Sequence, residues 1–356
     1  MPLDLPIDVS SPVMISGATG YVAGHMVKRL LEAGVTIHAP VRDPTRQDKL
    51  KYLNEIAVTA PGAIRYFSAD LLKEGSYAEA MEGCSIVFHT ASPFSLDVND
   101  PQKELVDPAL LGTRNVLGEA NRHDTVKRVV LTSSCAAIFG DNADVAKAAG
   151  GVLTEADWNT TSTLEYGPYS YSKTVAEQEA GKIVKAQSRW DLVVINPSMV
   201  FGPGISPFAT SESFSMVKQF GDGTMKRGTP RFGIGVVDVR DVAYAHLAAA
   251  YLPQAQGRHI ISGHNTDFFE IAQTLVSTYG DDYPIPQNSL PKWLVWLVAP
   301  IFNKSLTRKM VTRNVDVPWI ADNRKSIREL GVEYRPLGET MNEMFQQLVE
   351  SGQITK

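Results

Sequence analysis

Residues 13–24 read VMISGATGYVAG. A short apolar run enters a glycine turn, and a helical pattern follows. Gly17, Gly20 and Ala23 keep the G-x-x-G-x-x-G/A spacing. In a strand–turn–helix setting the first glycine permits the tight turn. The second lets the backbone of Thr19, Gly20, Tyr21 and Val22 approach a pyrophosphate at the helix N-terminus, and Ala23 is small enough for close helix–sheet packing. A tight turn without a ligand is the alternative. What surrounds the turn decides between them.

Working outward, strands are expected at Val13–Ile15, Val35–Val41, Ser85–Thr90, Arg128–Thr132 and Leu192–Asn196. Helices are expected at His25–Ala33, ending at Gly34, and over 109–122 and 169–187. Strands separated by helices of this length pair in parallel through crossover connections, which predicts an α/β, doubly wound parallel sheet of the Rossmann type. After Asn196 the Gly-, Pro- and Ser-rich NPSMVFGPGISP reads as loop, and irregular sequence runs to about Gly235. VVDVRDVAYAHLAAAYL and RHIISG then read as strand–helix and strand, a return to the main sheet, and the pattern beyond about Thr266 is mostly helical. The expected division is a dinucleotide-binding domain over 11–202 and 236–264 and a smaller, discontinuous, mostly helical substrate domain over 203–235 and 265–350. Residues 1–10 form a tail.

Composition bounds the partners. The 356 residues carry a net charge of −5, which argues against general binding to nucleic acid or anionic membrane while leaving room for a local basic pocket. Cys84 and Cys135 are too few for a disulfide framework and suit a reducing compartment. The N-terminal MPLDLPIDVSSP lacks the basic and apolar regions of a signal peptide. WLVWLVAPIF, residues 293–302, is far shorter than the ~20 residues that span a bilayer. A cytoplasmic protein without a transmembrane segment is expected. The apolar run reads as a helix packed in the substrate domain and ended by Pro300. Its flanks Lys292, Lys304, Arg308 and Lys309 are also compatible with a membrane-interface or oligomer contact, and Trp293 and Trp296 with a substrate entrance. A homodimer is compatible with the sequence.

The end of the second strand selects the nicotinamide cofactor. An Asp or Glu there holds the ribose hydroxyls of NAD. This chain reads HAPVRDP, with Arg42 where the 2′-phosphate of NADPH lies and Lys49 further along. Guanidinium and phosphate dianion form a charge-assisted pair, so NADPH/NADP is expected over NAD, although Asp43 offers a carboxylate beside Arg42. Asp70 and Leu71 end a third strand at the same rim, a place for adenine, and Thr90, Ala91 and Ser92 end the next. His89 there reads as a packed strand residue rather than a base.

Tyr169 and Lys173 are four residues apart in GPYSYSKTVAEQ and share a helix face. A free Tyr has a pKa near 10, and bringing it near 7 requires about 4 kcal/mol. An ammonium at ~5 Å supplies roughly 3 kcal/mol at an effective dielectric of 20, and the positive charge of an oxidised nicotinamide ring can add the rest. Tyr169 is then the expected general acid toward a carbonyl oxygen. Ser134, after the strand Arg128–Thr132, is the expected donor to that oxygen, with Ser133 second and Thr132 third. Tyr171 is the competing tyrosine, but only Tyr169 lies four before Lys173. The seven histidines form no H-x-x-H or H-E-x-x-H pattern, so no metal site is expected.

SGATGYVAG, PVRDP, SADLLKEGSYAEAMEGCSIVFHTASP, LTSSCAA, YSYSKTVAEQ, NPSMVFGPG and GVVDVRDVAYAHL together make the chain resemble an extended short-chain dehydrogenase/reductase. The specific group is that of the dihydroflavonol and cinnamoyl-CoA reductases. The resemblance covers most of 11–250, and the tail DNRKSIRELGVEYRPLGETMNEMFQQL resembles the group's C-terminal helices. It implies a Ser134–Tyr169–Lys173 triad, with Lys173 also contacting the nicotinamide ribose. It implies 2′-phosphate contacts by Arg42 and Lys49, an adenine pocket at Asp70 and Leu71, and a nicotinamide lining at Pro197, Met199 and Val200. Phe139 replaces the polar residue that plant flavonoid reductases place near the substrate ring, so a dihydroflavonol is not implied. The helix 109–122 lacks an aligned Asn, Asn115 being out of register.

The expected activity is NADPH-dependent reduction of an aldehyde or ketone, apolar or aromatic. The expected pocket walls are Ser92, Phe94, Phe139, Met199 and the loop 203–215. The alternatives are a hydroxysteroid dehydrogenase/isomerase or an NAD-dependent sugar-nucleotide epimerase, against which Arg42 and the apolar C-terminal region count. A non-catalytic NADP(H) sensor is disfavoured by the Tyr–Lys pair.

Overall fold

The computed structural model describes residues 5–92, 98–206, 211–302 and 306–355. In chain order, β1 (Val13–Ser16), α1 (Tyr21–Glu32), β2 (Thr36–Val41), α2 (Gln47–Thr59), β3 (Ala63–Ser68), α3 (Ala78–Met81), β4 (Ile86–His89), α4 (Asp107–Ala120), β5 (Arg128–Thr132), α5 (Pro168–Lys185) and β6 (Asp191–Pro197) alternate strand and helix. Then come β7 (Met199–Phe201), α6 (Glu212–Gly221), β8 (Thr229–Pro230), β9 (Gly233–Asp238), α7 (Val239–Tyr251), β10 (Gly257–Ile261), β11 (His264–Asp267) and α8 (Phe268–Tyr279). The chain closes with β12 (Ser289–Leu290), α9 (Lys292–Phe302), α10 (Arg308–Asn314), α11 (Arg324–Leu330) and α12 (Leu337–Glu350).

The seven-stranded main sheet runs β10-β6-β5-β4-β1-β2-β3, every neighbouring pair parallel. Its strands are apolar on both faces because helices cover both. Val13, Ile15, Phe88, Val130, Val193 and Ile195 point into one core with α1 and α7. Met14, Val87, Val129, Leu131 and Val194 point the other way, onto α3, α4 and α5. Leu5 and Ile7, in the expected tail, pack against the first of these cores. Gly34, at φ +90°, ends α1 in a conformation other residues resist, and its amide caps the Leu31 carbonyl at 3.0 Å.

Strand order reverses between β4 and β1, and the crevice beyond their carboxyl ends is where such sheets bind ligands. A second core lies beyond it. Phe214, Val217 and Phe220 of α6 meet Ile271, Ala272 and Leu275 of α8 and Met341, Met344, Phe345 and Leu348 of α12.

Four readings change. Helix α1 starts at Tyr21, four residues before His25, because Gly20 is already its N-cap in extended conformation. Of the two strands expected to rejoin the main sheet only β10 does so. Strand β9 pairs with β7 and β11 in a separate three-stranded sheet. The stretch read as irregular holds helix α6. Helix α9 continues past Pro300, and it is buried on one side only.

Candidate active site

The glycine turn sits at the switch point. Gly17 has φ +71°, and a Cβ there would lie 3.0 Å from the Ala91 Cα. Any larger residue would strain the turn and push β4's exit away. No side chain caps α1 and its first turn holds no acid, so its amides are free to meet an anion, a fit for a dinucleotide pyrophosphate. Ser16, unremarked in the sequence, knits the rim together. Its Oγ accepts from the Thr90 and Ala91 amides at 3.1 and 3.2 Å and lies 2.9 Å from His89 Nδ1. Thr90 Oγ1 donates to the Ser16 carbonyl at 2.5 Å. His89 is buried, and burial lowers its pKa to about 3, so it is neutral and a very weak base.

Along the rim, Arg42 is exposed and forms no hydrogen bond or ion pair among the described residues. The carboxylate of Asp43 instead accepts from the Thr45 amide at 2.8 Å and hydroxyl at 2.6 Å, one oxygen fixed in its own turn. Lys49 lies exposed in the first turn of α2. Asp70 caps the Leu72 amide at 2.9 Å, and Leu71 packs into the space left by Gly112, where a Cβ would come within 2.6 Å of it. Asn115 Nδ2 donates to the Leu71 carbonyl at 2.8 Å. The out-of-register asparagine therefore holds the Asp70–Leu71 loop.

Pleat and helix sort the three hydroxyls after β5. Thr132 donates to His246 Nε2 at 2.7 Å, since His246 Nδ1 is committed to the Val242 carbonyl at 2.8 Å and burial keeps that imidazole neutral. Ser133 donates to the Glu177 carboxylate. Ser134, beyond the strand, caps the short turn Cys135–Ala137 through the Ala136 amide at 3.1 Å and bonds the Tyr169 hydroxyl. Lys173 Nζ lies 5.7 Å from the centre of the Tyr169 ring and donates to Ser92 Oγ at 2.9 Å. The geometry thus joins Ser134, Tyr169, Lys173 and Ser92, and excludes Ser133 and Thr132.

Burial pushes Tyr169 up to about 12, opposed by the Ser134 hydrogen bond. Burial also lowers Lys173 to about 8, against the pull of Glu177.

Glu177, missed in the sequence, anchors the back of the site. Beside Ser133 it accepts from Asn196 Nδ2 at 2.8 Å and Arg258 Nε at 2.5 Å, and Asn196 Nδ2 also donates to the Ser134 carbonyl at 3.1 Å. The signal was readable: Glu177 follows Lys173 by another four residues on the same helix face. Glu177 and Lys173 line one small cavity with Ser92 and Thr113. Pro197 ends β6 buried, Val200 packs on the main core, and Met199 packs on the second core. Phe139 meets Trp319 with ring centres 5.7 Å apart. Phe94 lies outside the described residues, as do 207–210 of the loop 203–215. The Tyr21 side chain leaves the turn and donates to the Gly202 carbonyl, so only its backbone faces the cradle.

The family model for the NAD dependent epimerase/dehydratase family matches residues 13–262. The chain is 35% identical to cinnamoyl-CoA reductase CAD2 of Medicago truncatula over 96% of its own length and 97% of that protein's. Two solved structures are similar at 27% identity and cover 96% of the chain. Gre2 of Candida albicans in complex with NADPH has a TM-score of 0.77 over 99% of its length. The yeast methylglyoxal/isovaleraldehyde reductase Gre2 complexed with NADPH has 0.76 over 100%. The switch-point crevice, its glycine turn and these full-length likenesses place the chain in the NAD dependent epimerase/dehydratase family, as an NAD(P)-dependent reductase of the extended short-chain dehydrogenase/reductase type.

Proposed function

We propose that the protein is an NADPH-dependent carbonyl reductase converting an apolar or aromatic aldehyde or ketone to its alcohol. The observation that carries this reading is the convergence of the Ser134 and Tyr169 hydroxyls, hydrogen-bonded to each other, beside the buried Lys173 ammonium. Gly17, Thr19, Gly20 and the amides of Tyr21 and Val22 would hold the pyrophosphate, and Arg42 and Lys49 the 2′-phosphate. Asp70 and Leu71 would hold the adenine, and Thr90 to Ser92, Pro197, Met199 and Val200 the nicotinamide side. When bound, NADPH supplies the hydride that reaches the carbonyl carbon. Ser134 holds the carbonyl oxygen, and Tyr169 delivers its phenolic proton there. Lys173 steadies the phenolate left behind until solvent reprotonates it. Phe139 and Met199 would face the substrate, held by the parts 203–235 and 265–350. The Medicago relative is named for an acyl-thioester and the yeast one for small aldehydes, which supports a carbonyl without fixing which.

The test is oxidation of NADPH and NADH, in parallel, with aliphatic, aromatic and α-dicarbonyl compounds. Turnover with NADPH is expected; no turnover with any carbonyl overturns the reading. Arg42→Ser is expected to raise the KM for NADPH about ten- to a hundredfold while leaving that for NADH nearly unchanged, the loss of one charge-assisted phosphate contact. An equal effect on both cofactors would place the 2′-phosphate elsewhere. The pH profile gives a further check. Tyr169, pushed up to about 12, keeps its proton throughout the neutral range, whereas Lys173 is charged below about 8 and neutral above it. Reduction is therefore expected to fall as pH rises through about 8. A profile flat to pH 10 would remove Lys173 from this role.

A further inference from the structure

Helix α9 has two unlike sides. Val295 and Ala299 are buried against Val311 of α10 and Val315 just after it, and Lys292 Nζ donates to the Thr312 carbonyl at 2.9 Å and the Val315 carbonyl at 2.5 Å. The helix is thus fastened at its base. On the outer side Trp293, Leu297 and Ile301, spaced by four, are 67%, 48% and 77% exposed, with Trp296 at 39% beside them. Row upon row of apolar side chains standing this far into solvent is uncommon unless something covers them.

Charge says what covers them. Between Tyr283 and Val315 the chain has Lys292, Lys304, Arg308, Lys309 and Arg313 and no Asp or Glu, although acids outnumber bases 39 to 34 over the whole chain. Arg313 pairs with Asp141 and Asp144. Arg308 and Lys309 are exposed and carry no carboxylate partner among the described residues. The Arg308 guanidinium lies over the Trp296 ring at 4.5 Å, and Lys309 Nζ over Tyr166 at 3.7 Å. An isologous contact with a second copy would set two such cationic faces against each other. Tryptophans on an aliphatic row with cations at the edge match the headgroup boundary of an anionic bilayer, which demands no shape-matched groove. The described residues contain no helix long and apolar enough to cross a membrane, so the helix would lie on the surface.

We propose that α9 docks the enzyme on anionic lipid surfaces, with Trp293, Trp296, Leu297 and Ile301 at the headgroup–acyl boundary and Arg308 and Lys309 against the headgroups. The test is flotation of the full chain with phosphatidylcholine vesicles, with and without phosphatidylserine. Salt-sensitive binding to the phosphatidylserine vesicles is expected, with much weaker binding to phosphatidylcholine alone. Leu297→Asp with Ile301→Asp should lower binding by about tenfold or more, with cofactor turnover and melting unchanged because both side chains are exposed. Lys309→Gln should weaken it about fivefold. Absence of binding to either vesicle, or binding indifferent to Leu297→Asp with Ile301→Asp, would overturn the proposal. So would a dimer or an acidic protein partner that depends on Leu297 and Ile301 in a chain that ignores vesicles.

Discussion

Tyr169→Phe is expected to lower carbonyl reduction by about a thousandfold or more while NADPH binding, followed by cofactor fluorescence, stays close to the parent. The substitution removes one hydroxyl and keeps the ring, so the packing around α5 and the Lys173–Ser92 bond at 2.9 Å survive. Its effect falls on proton delivery alone. Because burial holds the phenol near 12, the acid is already in its donor form at neutral pH. The energetic difficulty lies in the phenolate that follows transfer, and the Lys173 charge and the Ser134 hydroxyl are the groups placed to relieve it. Tyr171→Phe, on another side of the helix, should cost little. Activity retained by the Tyr169 variant and lost by the Tyr171 variant would overturn the assignment.

Glu177→Ala is expected to destabilise the fold by about 3–5 kcal/mol, read as a lower urea midpoint. Glu177 is 3% exposed and its carboxylate is held by Ser133, Asn196 and Arg258, so its removal takes from a partly buried guanidinium its counter-charge and from two buried polar groups their partner. Arg258 also stacks on Trp158 at 3.9 Å and donates to the Glu155 and Asp157 carbonyls, which anchors its head and prevents escape to solvent. Glu177→Gln separates structure from electrostatics. It retains an acceptor and the side-chain shape, yet it removes the charge that favours the Lys173 ammonium. The alkaline limb of the rate should then move to lower pH with the KM for NADPH unchanged. A limb that stays in place would make Glu177 purely structural; a shifted one makes it a positioning residue acting through Lys173.

The main sheet was legible because both of its signals are local. Apolar runs such as Arg128–Thr132, matched residue for residue by β5, and the helices between them need no knowledge of distant partners. The destination of β9 was not legible. Its pattern is that of any buried strand, and only pairing with β7 and β11 sends it to a second sheet. The site divides the same way. Four-residue spacing brings Tyr169 and Lys173 together on one helix, and position after the strand favours Ser134, whereas the partners that occupy Thr132 and Ser133, His246 of α7 and Glu177 of α5, lie far away in the sequence. Spacing gives the distance from Tyr169 to the ammonium but not the dryness of its surroundings, which pushes the phenol up.

Helix α1 also reaches away from its cofactor turn. Tyr21 donates to the Gly202 carbonyl, His25 Nε2 lies 2.9 Å from the Pro203 carbonyl, and Gln347 of α12 holds Gly204 at both its amide and its carbonyl. The first turns of one helix are therefore a strut between the nucleotide cradle and the chain that leads into the second core. Truncating Tyr21 or His25 would therefore loosen residues 202–204 as well as the first turns of the helix.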